Sequence, residues 1–170
     1  RFGYEANPDG SLRLIRNLTG AWLIEQCRRS WAPQGLDCSH EALTYAARAA
    51  ADEPDASAIL DTASPDFVHP PDMPEAIRRH CRQTDQPEPR TPGQVAHVIF
   101  ASLAESYRAT IDLLTEKTGR RPRAIYILGG LARNAYLNDL TAARTGMLVL
   151  PGPAEATALG NVIVQRQAVG

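Results

Sequence analysis

Ala124-Ile125-Tyr126-Ile127-Leu128-Gly129-Gly130-Leu131-Ala132-Arg133-Asn134 is the stretch on which the reading of this 170-residue chain turns. Ile125–Leu128 is a short apolar run rich in β-forming residues, the pattern of a strand covered on both faces. Gly129 and Gly130 lack a Cβ, so they tolerate positive φ and let a ligand lie against the backbone. A helix is expected over Asn134–Thr145. Its first turn aims unpaired N–H groups and the positive end of its dipole at the glycines. A strand, a glycine pair and a helix start in that order suit an anionic or planar ligand. The same glycines also make a tight connection in any α/β domain, and this stretch alone leaves both readings open.

Downstream, Gly146 is the expected C-cap, Met147–Leu150 a second apolar strand and Pro151-Gly152-Pro153 a rigid turn. A last helix is expected over Ala154–Gln167, with Glu155 in its first turn facing the dipole. Upstream, Thr91 is placed to cap the longest helix, Pro92–Lys117. There Val95, Ile99, Leu103, Tyr107 and Ile111 follow at i+4, joined by Val98 and Leu114, as a core-facing stripe. Gly119 and Pro122 end it. Asn17 precedes an amphipathic helix expected over Leu18–Trp31, Ser39 caps one over Glu41–Ala51, and Asp72 one over Pro74–Gln83. Ala58–Asp61 and the region around Phe67 read as irregular or short strands. Asn7-Pro8-Asp9-Gly10 is a turn between short strands at Arg1–Glu5 and Ser11–Ile15. Helix–strand–helix–strand–helix in the C-terminal half makes the two apolar strands parallel neighbours under the right-handed crossover rule, in a sheet with helices on both faces.

Composition narrows the function. Lys and Arg number 18 against 19 Asp and Glu, a net charge of −1. That balance offers no basic excess for nucleic acid and no charge block for a disordered tail. No apolar run approaches membrane-span length. Cys27, Cys38 and Cys81 are scattered without metal spacing, which suits a reducing cytoplasm. His80-Cys81, the closest pair of ligand types, points two ways on a helix and reads as two surface residues. There is no GxxxxGK, no GxGxxG and no His pair at metal spacing. The chain opens on Arg1 within ordered-looking sequence, so a fragment of a longer protein is expected.

Three blocks stand in order along the chain: Arg13-Leu14-Ile15-Arg16-Asn17-Leu18-Thr19-Gly20-Ala21-Trp22-Leu23, then Ile127 to Asn138, then Pro151-Gly152-Pro153-Ala154-Glu155-Ala156-Thr157-Ala158-Leu159-Gly160-Asn161. Between them lie Phe67, Pro70 and Met73, then Cys81-Arg82-Gln83-Thr84 and Ile99-Phe100-Ala101-Ser102-Leu103. Together they resemble the C-terminal domain of the FGGY carbohydrate kinases, most closely the rhamnulokinases, over nearly the whole chain. The resemblance implies an α/β, ribonuclease H-like domain of the actin and hexokinase ATPase class, truncated at its N-terminus. Residues 1–170 would be the partial C-terminal nucleotide-binding domain. The N-terminal sugar-binding domain, the catalytic Asp and the Gly-Thr phosphate turn would lie outside it.

The resemblance further implies ATP and Mg2+ as cofactors and a sugar substrate reached through the missing domain. It implies no nucleic-acid or membrane partner, and a cytoplasmic location. No catalytic residue is expected in this chain. Asn17, Glu25, Gly129, Gly130 and Asn134 match nucleotide-contacting positions of the family. Glu25 stands where rhamnulokinases carry Gln, and an ionised carboxylate there can only accept hydrogen bonds. Leu131 and Ala132 replace the family's third glycine and a following Ser or Cys, adding bulk beside the purine pocket. Asn17 reads equally as a helix N-cap, and Glu155, Thr157 and Gly160 read as structural. Two other functions stay open at this point: an actin-like nucleotide-binding regulatory module without sugar chemistry, and a non-binding structural remnant.

Overall fold

The structure, a computed structural model, describes every residue except Arg1, Pro8, Thr19, Ala154 and Gly170. The turn expected near Gly10 joins β1 (Gly3–Ala6) to β2 (Leu12–Ile15) as an antiparallel pair. Gly10 takes φ 80°, a left-handed conformation that glycine adopts without a Cβ clash. Asp9 Oδ1 accepts the Ser11 N–H at 2.9 Å, and Asn7 N–H donates to the Ser11 carbonyl at 2.8 Å. The remaining residue of that turn, Pro8, and Arg1 of the first strand lie outside the described residues.

Four helices follow: α1 (Trp22–Trp31), α2 (His40–Ala49), α3 (Met73–Gln83) and α4 (Pro92–Thr118). Three of the expected caps form. The Ser39 hydroxyl accepts from Ala42 N–H at 3.1 Å, and Asp72 Oδ1 accepts from Glu75 N–H at 3.0 Å. Thr91 and Gln94 make a reciprocal capping box, satisfying donors that a helix start leaves unpaired. At α1 the expectation fails. The helix begins at Trp22, and its cap position, Ala21, supplies no side-chain acceptor. Asn17 is exposed and lies well before it. Ala58–Asp61 is irregular, and the region around Phe67 is a single 3-10 turn, Pro65–Phe67, and not a strand.

The centre of the molecule is the first half of α4, buried on every side from Gly93 to Ala104. The expected stripe is there: Val95, Val98, Ile99 and Leu103 are core, with Tyr107 packed against it. Its other faces are buried too, because Gly93, Ala96, Ala101 and Ala104 are small enough for neighbouring helices to approach closely. α2 packs on one side and α5 (Ala135–Thr145) on another, while α1 packs on α3. The polar residues in this segment are satisfied. Ser102 Oγ donates to the Val98 carbonyl at 2.6 Å and accepts Leu60 N–H at 2.8 Å. His97 Nδ1 lies 2.7 Å from Tyr136 Oη. His80 and Cys81, expected on the surface, are buried in the core face of α3, where the Asp66 carboxylate meets His80 Nδ1 at 2.9 Å.

The C-terminal strands β3 (Ala124–Ile127) and β4 (Leu148–Pro151) are parallel neighbours, in register Ile125 to Val149 and Ile127 to Pro151. That agrees with the right-handed crossover expectation for two strands joined by a helix. The expected cover on both faces is not there. The period-2 alternation of a strand turns Ile125 and Ile127 one way and Tyr126 and Leu128 the other. Tyr126 is 69% exposed and Leu128 56%. The last helix, α6 (Ala156–Val169), starts later than expected, so Glu155 precedes its first turn. A Cβ at Gly160 would meet nothing within 4 Å, so this glycine is not a close helix contact. The Thr157 side chain lies outside the described residues. Among the described residues, no helix is long and apolar enough to cross a membrane.

Two measurements test this core. A Cβ on Gly93 would stand 2.8 Å from the Ala46 carbonyl oxygen, and that atom is backbone. Gly93→Ala is therefore expected to cost about 1–3 kcal/mol by overpacking, read as a lower denaturant midpoint with an unchanged slope. The second concerns His97. Burial holds this imidazole below its ordinary value of 6.5; Arg144 adds to the effect, while the Ala47 main chain and Asp52 oppose it. The unfolded chain thus binds the proton at higher pH than the folded one. The stabilising contribution is complete above the unfolded value and is lost as pH falls towards the folded one. The melting temperature should drop more for the natural sequence than for His97→Asn between about pH 7 and about pH 5, carboxylate effects being common to both. Equal drops would show that His97 is not linked to folding.

Candidate functional site

The loop after β3 is built by backbone rules. Gly129 holds φ 82° and ψ −164°, a conformation essentially confined to glycine. Gly130 does not take positive φ; it opens a 3-10 turn, Gly130–Arg133, between strand and helix. Ala132 N–H donates to the Gly129 carbonyl and Asn134 N–H to the Leu131 carbonyl, both at 3.0 Å. Asn134 is the N-cap of α5, its Oδ1 accepting Leu137 N–H at 2.9 Å. That leaves its Nδ2 without a hydrogen-bond partner among the described residues. Asn138, one turn along α5, donates from Nδ2 to the Ala132 carbonyl at 3.1 Å and so fastens the 3-10 turn to the helix.

A second loop is joined to the first. Gly152 N–H donates to the Ile127 carbonyl at 2.8 Å, and Gly129 N–H to the Pro153 carbonyl at 3.3 Å. A Cβ at Gly152 would meet the end of the exposed Leu128 side chain, which would have to turn aside. The outer side of the first loop is bare: a Cβ at Gly129 or at Gly130 would meet nothing within 4 Å. The result is a surface of exposed backbone at the C-terminal ends of two parallel strands, beside a helix start. In open parallel sheets, ligands bind at that end. A flat or anionic group can lie there with no side chain intervening.

Of the five residues singled out in the sequence, the structure brings Gly129, Gly130 and Asn134 into this one loop. Among the described residues, no hydrogen bond or ion pair joins Asn17 or Glu25 to the glycine loop. Glu25 is half-buried on α1. Both its carboxylate oxygens accept from Arg28 Nη1, at 3.2 and 2.9 Å, and His40 Nε2 lies 3.4 Å away. Arg28 is in turn spent on the Cys38 carbonyl at 2.6 Å. Asn138 falls within the sequence block Ile127–Asn138, without a role assigned to it there. Its spacing of four from Asn134 is the signal, since it places both amides on the same face of α5.

Elsewhere, a cleft of about 490 Å³ opens between Leu18, Trp22, Thr62, Ser64, Phe67 and His69. Trp22 Nε1 donates across its floor to the Phe67 carbonyl at 3.2 Å. Burial pushes the thiols of Cys27, Cys38 and Cys81 up, away from the reactive thiolate. Among the described residues, no three His, Cys, Asp or Glu side chains gather to hold a metal.

Residues 6–169 match the FGGY family of carbohydrate kinases, C-terminal domain. A rhamnulokinase of Bacteroides thetaiotaomicron is 40% identical over 172 residues, covering 99% of this chain and 33% of that protein. A rhamnulokinase of Oceanobacillus iheyensis is 34% identical, covering 99% of the chain and 34% of its own length. One from Bacillus subtilis is 34% identical over 95% of the chain and 32% of the relative. The chain thus spans about a third of the length of the curated relatives it matches. With the family match running through both loops of the site, this chain belongs to the FGGY family of carbohydrate kinases, in the part that forms their C-terminal domain.

Proposed function

We propose that this chain is the nucleotide-binding half of an ATP-dependent kinase that phosphorylates a hydroxyl of L-rhamnulose or a similar ketose. The observation that carries the reading is the bare Gly129–Gly130 backbone, latched to the Gly152 loop at the C-terminal ends of parallel strands. The names of the relatives supply the sugar. The parallel β3–α5–β4 unit is compatible with a ribonuclease H-like domain of the actin and hexokinase class, of which residues 1–170 would be a part.

In this reading adenosine lies on the backbone of Gly129 and Gly130. The Nδ2 of Asn134, without a partner among the described residues, donates to the purine edge while its Oδ1 caps α5. Asn17 and Glu25 complete the pocket, with Glu25, held by Arg28, able only to accept. Leu131 narrows the purine end. ATP brings Mg2+ on its phosphates, which neutralises charge during transfer. The sugar oxygen attacks the γ-phosphorus, the bond to the ADP oxygen breaks, and the hydroxyl proton passes to a carboxylate outside residues 1–170. What this chain contributes is position: holding the nucleotide so that the transfer is in line.

Residues 1–170 alone should give no sugar-dependent ATP turnover, since the carboxylate and the phosphate turn lie elsewhere in the parent protein. A coupled assay with L-rhamnulose and MgATP checks this, and robust turnover would place the base within this chain. In the parent protein, Gly130→Val should raise the Michaelis constant for ATP about tenfold or more, roughly 1.4 kcal/mol, with that for sugar unchanged. Gly130 has neither positive φ nor a close neighbour, so the variant is expected to melt like the natural protein. Unchanged ATP kinetics in a normally folded variant would make the glycine loop purely architectural.

A further inference from the structure

Tyr136 is where three helices meet. It is the second residue of α5 and is buried. Its hydroxyl lies 2.7 Å from Nδ1 of His97 on α4, in the buried centre of the molecule. From α2, the Arg48 guanidinium sits over its ring, 4.8 Å from the centroid, and pairs with Asp139 on the next turn of α5 at 2.5 Å. The Ala47 main chain, also on α2, lies against the His97 imidazole, and Arg144 of α5 and Asp52 after α2 are the charges facing it. Burial pushes the Tyr136 phenol up, so it keeps its proton. A neutral His97 with its proton on Nε2 presents Nδ1 as the acceptor.

The position of this pair matters more than its strength. Asn134 caps the turn that Tyr136 begins, and Asn138, one turn along, holds the Ala132 carbonyl. The first turn of α5 therefore holds the helix-side end of the glycine loop, at Ala132 and Asn134. The loop's own hydrogen bonds are local or reach only the Pro153 loop. Leu137 and Thr141 press the buried face of α5 against the body, but apolar contact tolerates sliding and a hydrogen bond does not. Among the described residues, His97–Tyr136 is the one polar tie from α4 to that first turn. We propose that the His97–Tyr136 hydrogen bond, backed by Arg48, sets the axial position of α5 and thereby places Asn134 and the Gly129–Gly130 backbone for the nucleotide. Both are positioning residues, and the role rests on the nucleotide reading given above.

The test uses the full-length kinase, with ATP affinity measured by titration calorimetry without sugar, the Michaelis constant for sugar, and the melting temperature. Tyr136→Phe and His97→Leu should each weaken ATP binding about fivefold, the effect of one net hydrogen bond, with the sugar constant unchanged. His97→Asn places an amide near the Nδ1 position and should bring affinity back to within about twofold of the natural protein, since the hydrogen bond is remade. Gly130→Val is the control for the site itself. If Gly130→Val weakens ATP while Tyr136→Phe and His97→Leu merely lower the melting temperature, the positioning role is overturned and the nucleotide reading stands. If none of the variants, Gly130→Val included, changes ATP affinity, the nucleotide reading falls and the positioning role with it.

Discussion

A helix segment with no face in solvent constrains everything around it. Gly93–Ala104 of α4 is such a segment, and each of its sides must present something a neighbour can pack on. Large residues on one side make the core with α1 and α3. Small residues on the others let α2 and α5 come close, at Gly93 so close that the Ala46 carbonyl occupies the space of a Cβ. A buried helix also cannot carry idle polar groups, because each unpaired one costs roughly 1–3 kcal/mol. Gln94, His97 and Ser102 are accordingly each hydrogen-bonded to a different element: Glu53, Tyr136 and Leu60. These three bonds key particular neighbours to particular turns of α4.

The glycine loop inherits its place from that centre. α5 packs against α4, β4 follows α5, and β4 pairs with β3, whose end is the loop. Two strand ends are then locked by Gly152 N–H on Ile127 and Gly129 N–H on Pro153. Sequence blocks far apart in the chain become one surface by two backbone hydrogen bonds, and neither bond needs a particular side chain. What the loop does need is the absence of one at Gly129, whose φ of 82° and ψ of −164° suit only glycine. The chemistry available to such a surface is recognition through main-chain shape and a capped helix start.

How much of this was legible follows from how local each feature is. Ser39, Asp72, Thr91, Gly119 and Gly146 act within one turn of helix, and all five do what their residue types predict. The parallel pairing followed from the crossover rule. Burial was less legible. Tyr126 and Leu128 look like core in a window of apolar residues, but hydropathy does not report whether anything covers them. His80 and Cys81 look like surface beside Arg79 and Arg82, but on α3 they turn inward. Asn17 resembled a cap because it preceded an apolar period, but the helix waits for Trp22. In the site, Gly129, Gly130 and Asn134 are neighbours in sequence and were found together. His97 and Tyr136 meet across 39 positions, and no periodicity announces such a contact.

The exposure of α6 has a consequence for how the molecule moves. Leu159, Val162, Ile163 and Val164 all face solvent. Val162, Ile163 and Val164 are β-branched, a class with weak intrinsic preference for helix. A helix of this length without packing is marginal in water. Its amides should therefore exchange with solvent from small local openings, while those of Gly93–Ala104 exchange only when the whole body unfolds. Any surface that covers α6 would slow exchange there without touching α4. The last helix is in that sense a reporter of contact, written into the backbone hydrogens of residues 156–169.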